Sequence, residues 1–122
     1  ARMSQVLLRA AGADIVRRDL SVNGHRFEGP DLVVSQGSID LLFGERPLPA
    51  DRQAADSSDP DAIRWTLVDY KTDSTSVSDE EFADRYRSQL AAYRRLLDDA
   101  GIRVAETWLI RIGTDGVSDV LV

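Results

Sequence analysis

The chain predicts an α/β domain, a central β-sheet flanked by helices. Two observations carry that expectation. Apolar residues recur at helical spacing near the start and again after position 78, and short apolar runs bounded by glycine, proline and aspartate fill much of the remainder. Taken in order, these segments give helix, three strands, helix, two strands. A length of 122 residues suits a single domain over 1–122, and 43% hydrophobic residues suffice for one modest core.

Each element has its own signal. Met3 to Ala11 reads as a helix, with Val6, Leu7, Ala10 and Ala11 on one stripe and Gly12 to end it. Ile15 to Val22 reads as a strand, and Asn23-Gly24 predicts a tight hairpin turn after it. The chain returns through Phe27 and Asp31 to Phe43, with an irregularity at Gly29-Pro30. Segment 44–62 holds three of the four prolines, four aspartates and little apolar surface, and predicts a long mobile loop. Ile63 to Lys71 is the next strand. Ser78 with Glu81 forms a capping box for a helix that Asp79 and Glu80 favour at its first turn. Phe82, Tyr86, Gln89, Tyr93 and Leu97 make its buried stripe, and Gly101 stands at the C-terminal cap. Val104 to Ile112 and Val117 to Val122 are strands joined by the turn Gly113 to Gly116.

Composition excludes several classes. No apolar stretch reaches membrane-span length, and Ala1-Arg2-Met3-Ser4 has no signal-peptide pattern. Without cysteine there is no disulfide, thiolate zinc site or iron–sulfur cluster, which suits a reducing cytoplasm. The net charge of -6 counts against a free-standing nucleic-acid binder, but it is uneven. Asp51, Asp56, Asp59 and Asp61 crowd one segment, while Arg85, Arg87, Arg94 and Arg95 crowd the long helix. Those arginines are either a solvated face or a local contact for phosphates.

Charge inside an apolar strand carries the functional signal. Asp40 stands within Gly37-Ser38-Ile39-Asp40-Leu41-Leu42-Phe43, and Asp69 and Lys71 end the run Trp65-Thr66-Leu67-Val68-Asp69-Tyr70-Lys71-Thr72. Side chains alternate along a strand, so Asp69 and Lys71 share a face and Tyr70 takes the other. With the two strands adjacent, both carboxylates and the ammonium converge. Magnesium takes oxygen ligands at about 2.0–2.1 Å, and two carboxylates plus the Tyr70 backbone carbonyl would supply the protein's share. Such a cation activates water, and Lys71 would offset charge building on phosphoryl oxygens. Taken singly, Asp-x-Lys is a strand-end ion pair and Asp40 an edge-strand charge. Tyr86 and Tyr93 read as core residues, Trp65 and Trp108 as packing residues, and His25 as a turn-side surface histidine. Gln89, a polar side chain on an apolar stripe, needs partners for its amide.

Together these blocks resemble the PD-(D/E)xK nuclease superfamily, in particular the RecB-like exonuclease domain of bacterial helicase–nucleases. Gly37-Ser38-Ile39-Asp40, Asp69-Tyr70-Lys71-Thr72 and Tyr86-Arg87-Ser88-Gln89-Leu90-Ala91-Ala92-Tyr93 stand in that family's order, across Ile15 to Ile112. The resemblance implies a restriction-endonuclease-like core with a mixed sheet. It implies Asp40 and Asp69 as metal ligands for Mg2+ or Mn2+, Lys71 as the catalytic lysine, and Gln89, Tyr93 and Tyr86 along the nucleic-acid path. The expected activity is DNA phosphodiester hydrolysis in double-strand-break repair. The expected partners are DNA, a helicase domain in the same chain and a second helicase–nuclease subunit. Asp19 sits where many relatives carry a glutamate. Relatives also carry a histidine ligand on an upstream helix, which His25 does not match, so an excised C-terminal fragment of a longer helicase–nuclease is expected. The alternative is a non-catalytic DNA-guiding or subunit-docking domain of the same fold.

Overall fold

The computed structural model describes residues 4–46, 63–72, 77–114 and 116–122, and of 25–28 and 32–36 the backbone alone. Helix α1 (Gln5–Ala11) leads into strands β1 (Ile15–Glu28), β2 (Asp31–Glu45) and β3 (Arg64–Thr72). Helix α2 (Asp79–Asp99) then precedes β4 (Val104–Gly113) and β5 (Gly116–Leu121). The five strands form one sheet in sequence order. β3 and β4 pair parallel and the other neighbours antiparallel, so the sheet is mixed. A parallel pair needs a long crossover, and α2 provides it.

The helices take opposite faces of the sheet. α2 buries Phe82, Ala83, Leu90 and Leu97 against Val22, Ile39, Leu42, Leu67, Leu109 and Val120. α1 buries Val6 and Ala10 against Leu41, Phe43, Val68 and Ile110. The α1 start is fixed twice: Ser4 Oγ accepts from the Leu7 N–H, and the Asp119 carboxylate of β5 accepts from Ser4 Oγ and the N–H groups of Gln5 and Val6. A carboxylate there also complements the helix dipole. α2 begins as expected, with Ser78 Oγ accepting from the Glu81 N–H at 3.2 Å. It ends in a Schellman turn: Gly101 has φ 88°, its N–H donates to Asp98 O, and the Ile102 N–H donates to Leu97 O.

Three expectations need correction. Asn23-Gly24 does not turn the chain; β1 runs on to Glu28, and the two-residue loop is Gly29-Pro30. Gly29 has φ 60°, and proline cannot take a positive φ, so the loop has the glycine-first form of a primed turn. Gly24 serves close packing instead, because a Cβ there would lie 2.3 Å from Leu96 Cδ2 of α2. Gly44 and Glu45, expected in the loop, still belong to β2, and Gly44 is buried under Ile63 and Trp65. The rest of that loop, 47–62, with its four aspartates, lies outside the described residues. The stripe of α2 centres on Ala83, Leu90 and Leu97, so Leu90 takes the buried place and Gln89 is exposed on its flank. Positions 89 and 90 both lie near a stripe of period 3.6, and the leucine gains more from burial.

One irregularity governs the rest. Val16 packs on the α1 face, yet Leu20 and Val22, at even spacing from it, pack on the α2 face. Likewise Leu41 and Phe43 pack on the α1 face and Ile39 on the α2 face. Unbroken strands cannot do this, since side chains repeat every two residues. Pairing is in the same register on both sides, Arg18 with Leu41 and Leu20 with Ile39, so no residue is inserted. The pair between them, Asp19 with Asp40, is missing from the ladder, and Asp19 has φ 50°. Both strands therefore turn over at one rung. Beyond it they form a two-stranded arm laid against the C-terminal half of α2.

Candidate active site

The gap between β2 and β3 opens at the same rung. Their last pair is Leu41 with Val68, which leaves Asp40 and Asp69 as the next residues across. From there β2 pairs only with β1, while β3 continues beside β4 from Asp69–Leu109 to Thr72–Ile112. Asp40 bridges the opening with its side chain: Oδ2 accepts from the Tyr70 N–H at 2.8 Å. The N–H and C=O of one strand residue share an edge, so the Tyr70 carbonyl is directed into the same gap.

Asp69 is 5% exposed. Its Oδ2 has no hydrogen-bond partner among the described residues, and Lys71 Nζ stands 3.1 Å away as an ion pair. Burial pushes the Asp69 carboxyl up to about 6, and the neighbouring Asp40 carboxylate adds to that rise while Lys71 opposes it. The structure thus brings Asp40, Asp69 and Lys71 together, with Tyr70 between them on the other face, packed with the α1-side core. Burial raises the Tyr70 phenol pKa; Arg18 lowers it, and the charges of Asp40 and Asp19 raise it.

α2 forms the far wall. The Tyr86 ring lies 4.8 Å from Lys71 Nζ, within cation–π range, and stacks edge-on with Phe82. The Tyr93 ring lies against Gly37 of the arm, where a Cβ would come within 2.5 Å of Cε1. Between them the exposed Gln89 donates from Nε2 to Tyr93 Oη at 3.2 Å. Gln89 therefore has its partner in Tyr93, and the expected buried glutamine is a surface one. Both tyrosines are half-buried and pack against the α2-side core, Tyr86 at Lys71 and Tyr93 at the arm. Trp65 and Trp108 are packing residues, as expected, and the structure places them on opposite faces of the sheet.

Arg111 was not singled out from the sequence. It pairs in register with Lys71, donates to Val77 O at 2.8 Å, pairs with Asp79 at 3.0 Å and lies 4.8 Å from the Phe82 ring. It fixes the start of α2, and so the wall carrying Tyr86. The signal was there to be read: like Asp40, it is a charge within an apolar strand.

The donor set fits a divalent cation. Two adjacent carboxylates, one of them buried with its pKa raised and only the Lys71 ammonium beside its Oδ2, are what a dication would relieve. Among the described residues no group of three His, Cys, Asp or Glu stands close enough to share a metal, so Asp19 does not join Asp40 and Asp69.

No protein-family model matches the chain. It is similar to the A component of the ATP-dependent helicase/nuclease of Desulforudis audaxviator, 37% identical over 118 residues, covering 87% of this chain and 8% of that protein. The protein of the same name from Lachnoclostridium phytofermentans is 36% identical over 77 residues, covering 62% of this chain and 4% of that protein. The chain thus spans less than a tenth of either relative. The crystal structure of SSO0001 matches with a TM-score of 0.60 at 11% identity, over 95% of this chain and 45% of that one, a likeness of fold alone. Among the described residues no helix is long and apolar enough to cross a membrane.

Proposed function

We propose that this chain is a nuclease domain that hydrolyses DNA phosphodiester bonds with a divalent cation, Mg2+ or Mn2+, within a helicase–nuclease of double-strand-break repair. The observation that carries the reading is the meeting of Asp40, Asp69 and Lys71 in the gap where β2 leaves β3. Similarity to helicase/nuclease proteins supports the setting, in which the partners are a helicase region of the same polypeptide and a second helicase–nuclease subunit.

Asp40 and Asp69 would hold the cation, with the Tyr70 carbonyl as a third oxygen. Bound there, it supplies Lewis-acid stabilisation of the phosphoryl oxygens and acidifies a water. With its carboxyl raised to about 6, Asp69 is mostly ionised at neutral pH and free to take a cation. Lys71, held by the Asp69 carboxylate and the Tyr86 ring, donates to a phosphoryl oxygen as charge develops. Tyr86 beside Lys71, and Gln89 bonded to Tyr93 further along α2, would line the path of a nucleic-acid strand.

Asp40→Ala, Asp69→Ala and Lys71→Ala, made in the full-length protein, are each expected to lower DNA cleavage by at least about 100-fold, the range of a lost charge-stabilising group. Cleavage at the unaltered rate by any of the three overturns that residue's assignment. The two-carboxylate donor set and the net charge of -6 favour one other reading, a non-catalytic DNA-guiding or docking domain. Calorimetric titration with Mn2+ separates the two: heat of binding that disappears in Asp69→Ala supports the nuclease, and none in the unaltered protein supports the docking domain.

A further inference from the structure

The rung at which both strands turn over is the rung that carries Asp40. Asp19 holds a left-handed backbone at φ 50°, a conformation that costs an ordinary L-residue about 1 kcal/mol or more and that aspartate tolerates better than most. Nothing about hairpin pairing requires it, since the register is unchanged on either side. At this rung both strands change face: Leu20, Val22 and Ile39 follow α2 while Val16, Leu41 and Phe43 stay on the α1 face. At the turning point Asp40 belongs to neither stripe, and its carboxylate reaches the N–H of Tyr70 across the gap. Had β2 kept its face, Ile39 would lie with Leu41 on the α1 side and Asp40 with Leu42 in the α2-side core, where an unpaired carboxylate is expensive.

We propose that Asp19 is a positioning residue: its left-handed backbone turns the β1–β2 ladder over at Asp40, and so aims the Asp40 carboxylate at the Tyr70 amide beside Asp69. The role is carried by the backbone, because the Asp19 carboxylate does not join the other two. Glycine adopts the left-handed region freely and a β-branched residue resists it. Substitutions at position 19 therefore separate backbone from side chain.

The test is amide hydrogen exchange in isotope-labelled protein. The Tyr70 N–H is bonded to a side chain instead of a neighbouring strand, so its protection reads the aim of Asp40 directly. Asp19→Gly is expected to keep Tyr70 protected within about 2-fold of the unaltered protein, and Asp19→Val to lose at least about 10-fold, as Asp40→Ala does, while Leu67 and Leu109 in the central strands stay slow. Where Asp19→Val does not fold, Asp19→Gly against Asp19→Ala decides, with the alanine variant expected to exchange faster at Tyr70. Equal Tyr70 protection in the glycine variant and its valine or alanine counterpart overturns the proposal, as does loss of protection in Asp19→Gly. The consequence for metal rests on the nuclease reading and is read separately by Mn2+ calorimetry on the same variants. Lost Tyr70 protection with unchanged Mn2+ binding upholds the positioning role and removes the metal from it.

Discussion

A carboxyl group at 5% exposure beside a second carboxyl opposes folding whenever it carries charge. Asp69 is raised from 3.8 to about 6 in the folded protein, so the folded state binds its proton more tightly than the unfolded chain does. The stability this contributes is full below the unfolded value, and it fades as pH rises through about 6. Asp69→Asn keeps the uncharged form at every pH. It is therefore expected to be no more stable than the unaltered protein near pH 4, and more stable by about 2–3 kcal/mol near pH 7.5 at about 1.4 kcal/mol per unit. Urea unfolding of both proteins across that range measures the difference. A gap that does not widen with pH contradicts a buried Asp69 whose charge Lys71 only partly offsets. Asp40, Asp69 and Lys71 were legible in the sequence because charge within an apolar run is rare and period-two alternation fixes which residues share a face. Asp19 was not legible as a positioning residue, because a left-handed φ at a non-glycine position leaves no mark in composition or spacing.

Two glycines hold the arm of β1 and β2 against α2, and they differ in what a methyl group would meet. At Gly37 a Cβ would press on the Tyr93 ring, 2.5 Å from Cε1 and 2.9 Å from Cδ1, whereas at Gly24 it would meet the tip of Leu96. A ring edge yields poorly and a leucine tip rotates. Gly37→Ala is thus expected to cost about 1–3 kcal/mol, the range for overpacking, and Gly24→Ala less, as read by chemical denaturation. The reverse order would mean that the arm does not rest on Tyr93. The same contacts explain why Asn23-Gly24 misled: the pair is a strong turn signal locally, but the glycine is there because a helix from the other end of the chain needs the space. α2 was legible because its start, stripe and end are written in neighbouring residues, from Ser78 and Glu81 to Gly101. The choice between Gln89 and Leu90 for the buried place depended on which flank faces the sheet, and that is a tertiary fact.

For the whole domain, a cation held at the proposed site would be linked to folding, since ligands that bind only the folded state raise its stability. Mn2+ at about 100 times its dissociation constant is expected to add about 2.7 kcal/mol, seen as a rise of the melting temperature. That rise should grow between pH 5.5 and 7.5, as the proton on Asp69 leaves, and vanish in Asp69→Asn. A rise that ignores pH and survives the substitution would place the cation elsewhere. The succession of helices and strands was readable because helical spacing marks both helices and apolar runs mark the strands, although the turn between β1 and β2 was misplaced. The order of strands in the sheet, the parallel join of β3 to β4 and the exchange of faces at Asp19 and Asp40 arise from long-range packing and were not. The chain's fifteen basic residues include a single lysine, Lys71, its side chain 24% exposed between a carboxylate and an aromatic ring. An acylating reagent for primary amines therefore has one side-chain target in the sequence, and the rate at which that site is labelled reads how well Asp69 and Tyr86 shield its ammonium group.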